Sequence, residues 1–183
     1  MACELEGVDN GENCPDVDGG TKLAFGADAS QIEDITFDAD GQITAFTMVA
    51  PGAWKKFKFD LIDDTSYYNQ EGERVGVKHL YNQSSLMKFA GINKDKVTAA
   101  RKLRKCCETV WIHFTNEFEI AMVQGIEWLG GQEWQLSKKP AKVTNKINTG
   151  TGAEESKVEF VINSQAREES PLTTLSIEDV EAL

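Results

Sequence analysis

Apolar and polar residues alternate along much of this chain, and that period predicts antiparallel strands with one solvated face. Within residues 54–62, Phe57 and Phe59 alternate with Lys56 and Lys58. We predict further extended segments at residues 21–25, 32–37, 43–49, 75–89, 109–114, 118–123, 125–128, 132–136 and 156–163.

Turn chemistry joins several of these segments into hairpins. Asp40-Gly41 lies between two apolar runs, residues 35–37 and 43–49, and Gly accepts the positive φ that such turns need. Thr115-Asn116-Glu117 predicts a second hairpin and Gly130-Gly131 a third.

A single clear helix is predicted near the middle, at about residues 93–108. Asn93 is a suitable N-cap, and the residues after it contain no Gly or Pro. An apolar stripe recurs at helical spacing; its members are Ala99, Ala100, Leu103, Cys106, Cys107 and Val110. We therefore expect a mainly β fold, a β-sandwich or barrel of antiparallel hairpins, with one central α-helix.

The remaining segments are polar, and they set the predicted domain boundaries. Residues 1–20 are expected to form an N-terminal arm, residues 21–163 the β domain, and residues 164–183 an acidic C-terminal tail. Residues 63–76 and 138–155 are interpreted as long polar loops. Ser176 and the acids after it are typical of a helix start.

Charge is strongly negative and unevenly distributed. The net charge is −11 at pH 7, which disfavours nucleic-acid binding by bulk attraction. Residues 1–41 hold eleven acids and one base, whereas residues 93–107 hold six bases and one acid. This pattern is typical of solvated faces, and a second reading is head-to-tail pairing of acidic and basic segments between copies.

Targeting and redox signals point to a cytosol-like compartment. The N-terminal residues lack a basic start and an apolar run, so we expect no signal peptide, and no apolar stretch is long enough for a membrane span. The four cysteines are expected to be reduced. They are Cys3, Cys14, Cys106 and Cys107.

Candidate chemistry is sparse, and we predict no catalytic, cofactor-binding or metal-binding residues. His79 and His113 are isolated within predicted strands, which favours structural roles. Phosphate-loop, dinucleotide and nucleophile-elbow motifs are missing from the sequence. The four tryptophans are expected to serve the core or an interface; they are Trp54, Trp111, Trp128 and Trp134.

The order of hairpins, central basic helix and further strands resembles the tail tube proteins of tailed bacteriophages. The stretches ITFDADGQITAFTM at 35–48 and WKKFKFDLIDDTSYY at 54–68 carry the resemblance, which covers about residues 20–163. The resemblance implies a non-enzymatic virion protein, assembled in the host cytoplasm, whose copies form stacked rings. It implies that DNA passes without specific binding and that neighbours are other virion proteins. It also implies that residues 63–76 reach the next ring.

Inter-subunit contacts are therefore predicted at tyrosines of the 63–76 segment, at basic residues of the helix and at the terminal apolar pair. These residues are Tyr67, Tyr68, Glu71, Arg101, Arg104, Lys105, Ile177 and Val180. Other readings stay open: a head–tail connector, stopper or capsid decoration protein, a lectin-like ligand-binding sandwich that uses exposed tryptophans, and a hydrolase.

Overall fold

A computed structural model describes residues 8–9, 21–58, 66–76, 78–105, 108–115, 121–149 and 156–183, and all structural statements below concern these residues. The described residues are mainly β, which confirms the predicted fold class. The strands are β1 (Val8–Asp9), β2 (Thr21–Asp28), β3 (Ile32–Phe37), β4 (Ile43–Met48), β5 (Lys55–Lys58), β6 (Tyr67–Val75), β7 (Lys78–Ala90), β8 (Thr109–Thr115), β9 (Ala121–Gln124), β10 (Ile126–Gly130), β11 (Glu133–Leu136), β12 (Lys139–Thr149), β13 (Ser156–Ala166) and β14 (Leu172–Thr173). The helices are a 3-10 turn at Ala29–Gln31, α1 (Lys94–Leu103) and α2 (Ile177–Glu181).

The strands form two layers that a single backbone pairing, Ala141 with Thr109, connects. The large layer has the order β3-β4-β14-β9-β8-β2-β5-β1, and the small layer has the order β12-β13-β7-β6. Most neighbours are antiparallel, while β14 with β4 and β1 with β5 are parallel. The short β10 and β11 form a separate antiparallel hairpin.

The first core lies between the two layers and beneath α1. Its aromatic centre joins the strands of both layers: the ring centroids of Phe57 and Trp111 are 5.0 Å apart, and those of Phe57 and Phe160 are 6.3 Å apart. From α1, Ala99, Ala100 and Leu103 complete this core, so the small residues of the predicted stripe let the helix lie close to the strands.

The second core covers the opposite face of the large layer. The hairpin of β3 and β4, the β10–β11 hairpin and α2 all contribute to it. Because β8 has a core on each of its faces, Thr109 to Phe114 are all buried. Double-sided burial explains why this strand is nearly continuous in apolar residues instead of alternating.

Helix α1 begins where the sequence predicted and ends earlier. The Asn93 side chain accepts a hydrogen bond from the Lys96 backbone N–H at 2.8 Å, which confirms the N-cap. The helix stops at Leu103, with Arg104 as C-cap, so the predicted end at residue 108 is wrong. Cys106 and Cys107 lie outside the described residues.

The hairpins at Asp40-Gly41 and Gly130-Gly131 are confirmed. Gly41 has φ 80°, and a Cβ at this position would lie 2.5 Å from the Trp128 ring. Glycine therefore satisfies both the backbone and the packing there. Gly130 and Gly131 have φ 107° and 60° between β10 and β11. The turn predicted at Thr115-Asn116-Glu117 extends outside the described residues.

Two predicted loops are strands, and these predictions are wrong. Most of the segment 63–76 is β6, and residues 139–149 are β12. Much of β6 is exposed on both faces, so its sequence has no alternating apolar face that would predict a strand. In β12 only Ala141 and Val143 are buried, and their neighbours are lysine, threonine and asparagine. Pairing with β7 and β13, which local sequence does not reveal, decides both conformations.

The segment predicted as an acidic tail, residues 164–183, packs into the fold. Strand β13 extends to Ala166, β14 pairs with β4 and β9, and α2 places Val180 in the second core. Ser176 and Asp179 form a reciprocal capping box, which confirms the predicted helix start. Of the predicted arm, only Val8–Asp9 is described, paired with β5. No helix among the described residues is both long and apolar enough to span a membrane.

Candidate assembly edge

Strand β6 forms one end of the small layer, and among the described residues it is paired along one edge only. It pairs with β7 from Tyr67–Leu86 to Val75–Lys78, without a register shift. Among the described residues no strand pairs with its other edge. A nine-residue strand in this position presents a row of backbone N–H and C=O groups to any incoming strand.

The β6–β7 hairpin also projects past the rest of its layer. Strand β13 accompanies β7 only as far as the pairing of Ala166 with Tyr81. Beyond that point lie residues 73–80, whose described members are exposed except for the half-buried Leu80. This projecting part, defined here as the hairpin arm, includes Val75, which is 50% exposed.

Alternation divides the first half of β6 into an outer and an inner face. Tyr67, Asn69 and Glu71 are exposed, whereas Tyr68 and Gln70 are half-buried. The Tyr68 ring stacks on the His113 ring with centroids 5.0 Å apart, and its hydroxyl hydrogen-bonds the Ser170 hydroxyl. The inner face thus packs against the same chain. The outer face is exposed, and the edge opposite β7 has no described partner strand.

Beneath Tyr68 the two layers meet through polar side chains instead of apolar ones. Gln124 is fully buried, and its Oε1 lies 2.9 Å from His113 Nε2 and 3.1 Å from Ser85 Oγ. Its Nε2 donates to Ser164 Oγ and to the backbone carbonyls of Gln83 and Ile162. The carbonyl partners fix the amide orientation, because a flipped amide would set oxygen against oxygen.

The Gln124 orientation also fixes the tautomer of His113. Since Gln124 Oε1 can only accept, His113 Nε2 carries the proton and donates. His113 Nδ1 is then an acceptor, and it is buried without a hydrogen-bond partner. Gln83 Nε2 is likewise buried and unpartnered, although Gln83 Oε1 accepts from Ser164 Oγ at 2.7 Å.

Burial keeps both rings of this cluster uncharged. Desolvation lowers the pKa of His113 to about 4, against the opposing effect of its hydrogen bond to Gln124. Desolvation raises the pKa of Tyr68 to about 12, with the Ser170 hydrogen bond acting in the other direction. At neutral pH the cluster is therefore a neutral hydrogen-bonded layer, suited to positioning β6.

The opposite end of the strand order, at β3, is covered by the chain itself. Gln132 Oε1 accepts from the Phe37 backbone N–H at 2.9 Å, and Gln132 Nε2 donates to the Phe37 carbonyl at 2.6 Å. One side-chain amide thus imitates the pairing of a neighbouring strand. Trp134 Nε1 adds a contact to Asp34 at 3.4 Å.

The structure brings only part of the predicted interface set together. Tyr67 and Glu71 lie on the outer face of β6. Tyr68 faces the interior, where its ring stacks on His113, and it lies apart from the outer face; its role as a contact residue stays a prediction. Arg101, Arg104 and Lys105 are exposed on and after α1, a separate surface.

The terminal apolar pair also belongs to the chain's own core. Val180 is 1% exposed, and Ile177 packs against the second core. Val180 is therefore unavailable as a contact residue, contrary to prediction. The reason is that α2 turns its apolar face inward instead of outward.

Sequence reasoning missed the polar residues that organise this region. Gln124, Gln132 and Glu127 carry no local motif, and their roles depend on partners distant in sequence. Fully buried Glu127 accepts from the backbone N–H groups of Lys138 and Arg167 and from the Gln135 side chain, at 2.7 to 3.0 Å. The one available signal was the position of Gln124 within an apolar run.

Comparison with known proteins adds no family to these observations. No protein-family model matches the chain, and neither curated proteins nor solved structures gave a match. Within the described part of the chain, no group of three or more His, Cys, Asp or Glu side chains is arranged to hold a metal ion.

Proposed function

We propose that this chain is a structural subunit that assembles with copies of itself through the open edge of β6. The observation that carries the proposal is a nine-residue strand with one edge paired and the other unpaired among the described residues. Pairing with a strand of a neighbouring copy would satisfy that row of backbone groups.

The hairpin arm supports the same function. Val75 and Tyr67 are 50% and 44% exposed, so both offer apolar surface for a contact along the strand. A projecting hairpin can contact a copy that lies beyond the plane of the first contact. Lateral pairing through β6 and reach through the arm together suit rings that stack.

The specific form we propose is a subunit of a bacteriophage virion, most like a tail tube protein. The resemblance in the order of elements supports it, together with a mainly β fold. The net charge of −11 suits a conduit through which DNA passes without binding. Other virion proteins would be its neighbours.

Two alternatives make different predictions. A connector, stopper or decoration protein would form closed single rings or bind a capsid, without indefinite stacking. A lectin-like sandwich would need exposed tryptophans; Trp54 and Trp111 are 7% and 0% exposed, which disfavours sugar stacking on these rings.

The test is assembly of an edge-blocked variant. Tyr67→Lys/Asn69→Lys adds two charges at the β6 edge, where a partner strand would have to approach. We expect wild-type protein to form rings or tubes in negative-stain images and sedimentation velocity, and the variant to remain monomeric at equal concentration.

The matched control is Val49→Lys/Leu129→Lys. It adds the same charge at side chains that are 46% and 50% exposed elsewhere, and it should assemble like wild type. Long tubes favour a tail tube, and single closed rings favour a connector. A wild-type chain that stays monomeric across the concentration range would refute self-assembly.

A further inference from the structure

Two cavities of equal size carry opposite charge. The first, about 480 Å³, has three lysines and no acid among its described lining residues; we call it the basic groove. The second, also about 480 Å³, has three acids and no base among the lining residues that the structure describes; we call it the acidic cavity. The lysines are Lys138, Lys139 and Lys142, and the acids are Asp40, Glu168 and Glu169.

A β-bulge builds the basic groove. Lys139 pairs with Gln165 and Lys142 pairs with Asn163, so two steps along β13 correspond to three along β12. The extra residue places Lys139 and Lys142 on the same face of the layer, although their odd spacing would otherwise put them on opposite faces. None of the three groove lysines forms an ion pair among the described residues.

Amide groups around these lysines add further hydrogen-bond donors. Asn82, Asn163 and Gln165 line the groove beside them. Gln83 also contributes to the lining, but its side chain lies on the opposite face of β7, where Oε1 accepts from Ser164 Oγ. Amide donors beside several ammonium groups suit a carboxylate, which accepts through both oxygens.

One side of the acidic cavity, the β3–β4 turn, is ordered by hydrogen bonds within the turn. Asp38 Oδ1 accepts from the backbone N–H groups of Asp40 and Gln42 at 2.9 and 2.8 Å, so the β3–β4 turn is ordered before any contact forms. Asp40, Glu168 and Glu169 are exposed. The surface therefore presents carboxylates without an ordering cost in the turn.

The two surfaces lie on different sides of β7. Tyr81 lines the acidic cavity and Asn82 lines the basic groove. Consecutive residues of a strand project to opposite faces, so acid and base are displayed in different directions from neighbouring positions. A molecule with this arrangement can join head to tail.

We propose that the basic groove of one copy binds the carboxylates at the rim of the acidic cavity of a second copy. The inference rests on the proposed self-assembly and names a second joint for it. Charge complementarity selects the partner, since the chain itself supplies a matching acidic surface. The groove is also continuous with the open edge, because Gln165 pairs with Asn82 and Asn82 pairs with Glu71 on β6.

Such a contact joins two different surfaces, so it propagates into a ring or a filament instead of closing a dimer. It also makes assembly salt-sensitive, because the charges lie at an exposed rim. A polynucleotide is the less suited occupant, since the chain's net charge of −11 opposes its approach.

The experiment is a charge swap measured by sedimentation velocity. Lys139→Glu/Lys142→Glu reverses the groove, and Glu168→Lys/Glu169→Lys reverses the cavity rim. Each double variant should weaken self-association at least about tenfold. The chain with all four substitutions should recover to within about threefold of wild type, because every contact again joins opposite charges.

The comparison variant is Arg101→Glu/Arg104→Glu on α1, the other basic surface, at which the sequence predicts contacts. It carries the same change in charge as the groove reversal, and if the groove is the joint it should assemble like wild type. Far-UV circular dichroism and melting confirm that each variant folds. A comparison variant that dissociates as strongly as the groove variant would make the basic helix the acid-binding surface and overturn the proposal.

Three further results would contradict the inference. Failure of the four-substitution chain to recover, although folded, would refute the pairing. A groove reversal that abolishes binding of a labelled DNA duplex, with the rim reversal neutral for assembly, would make the groove a nucleic-acid surface. Wild-type assembly that ignores every reversal would refute this joint alone, whereas a monomeric wild type would refute self-assembly itself.

Discussion

Strands β3 and β6, each at one end of its layer, differ in how their outer edges are covered. Strand β3 buries Ile32, Ile35 and Phe37 in the second core, and Gln132 hydrogen-bonds the backbone of Phe37 at its outer edge. Strand β6 has no apolar anchor of this kind, and no described strand covers its outer edge. Terminal strands of isolated proteins are usually protected, and the unpaired edge of β6 is the observation on which the proposed joint rests.

The anchoring of the two strands differs in chemistry as well. Apolar burial holds β3 wherever its side chains fit. Hydrogen bonds hold β6 through Tyr68 and Gln70, and these bonds depend on direction. Directional bonds fix the strand's orientation, which strand-to-strand addition between copies requires.

Removing the Gln124 side chain, which links the buried polar cluster beneath β6, should produce the largest difference in stability between β6 and β3. Gln124→Leu leaves His113, Ser85 and Ser164 without their shared partner, and we expect a loss of about 3 kcal/mol in the free energy of unfolding. Hydrogen exchange should accelerate at β6 and stay slow at β3. Gln42→Leu, at a half-buried glutamine, is the control and should cost less than about 0.5 kcal/mol. Equal acceleration in both strands would show that β6 has no separate anchor.

The pH dependence of the free energy of unfolding should reveal the contribution of buried His113, which is hydrogen-bonded to Gln124. The pKa of His113 is about 4 in the folded chain, below its usual value of 6.5, so the unfolded chain binds more protons between these values. The histidine's contribution is fully present above about pH 6.5 and is lost as pH falls toward 4, by up to about 3 kcal/mol.

Denaturant unfolding at several pH values measures this effect. His113→Gln should flatten the stability curve between pH 6.5 and 4, because the substituted side chain does not titrate. His79→Gln, on the exposed hairpin arm, should keep the wild-type slope. A wild-type slope in the His113 variant would mean that another group causes the acid sensitivity.

Removing the Gln132 side chain, which hydrogen-bonds the edge of β3, should lower stability by less than Gln124→Leu does. Gln132→Ala removes both hydrogen bonds to Phe37 and should lower stability by about 1 to 2 kcal/mol. It should also let β3 pair with other copies, visible as irregular aggregates in light scattering. Glu133→Ala, at the next exposed position, should do neither. A Gln132 variant as soluble and stable as wild type would show that the amide does not protect β3.

Shortening the hairpin arm should have the smallest effect on stability. Replacing residues 73–80 by Asn-Gly joins the paired residues Gly72 and Tyr81 through a two-residue turn. The removed residues are largely exposed, so the free energy of unfolding, measured by thermal unfolding, should change by less than about 0.5 kcal/mol. Assembly should nevertheless stop at single rings. Normal stacking of the shortened chain would leave the arm without the proposed role.

The sequence predicted elements wherever local chemistry decided the structure. The Asp40-Gly41 turn, the Asn93 cap and the alternation of Val158, Phe160 and Ile162 each act over a few residues. Strands β6 and β12 were missed because neighbouring strands, not their own residues, hold them extended. Alternation signals are weak where both faces meet solvent.

The candidate site was predictable only in part. Tyr67 and Glu71 were correctly placed on a polar exposed segment. The inward turn of Tyr68 depends on His113, 45 residues away in sequence, and the cover over β3 depends on a glutamine 95 residues from Phe37. Such long-range pairings have no signature within a local window of sequence.

The most direct test of the central claim is hydrogen exchange at Tyr67–Val75 as protein concentration rises through assembly. If β6 is the joint, its outward backbone amides become protected in step with oligomer formation, while the amides of β3 keep one rate throughout. Oligomers that form while β6 exchanges at the monomer rate would contradict the account.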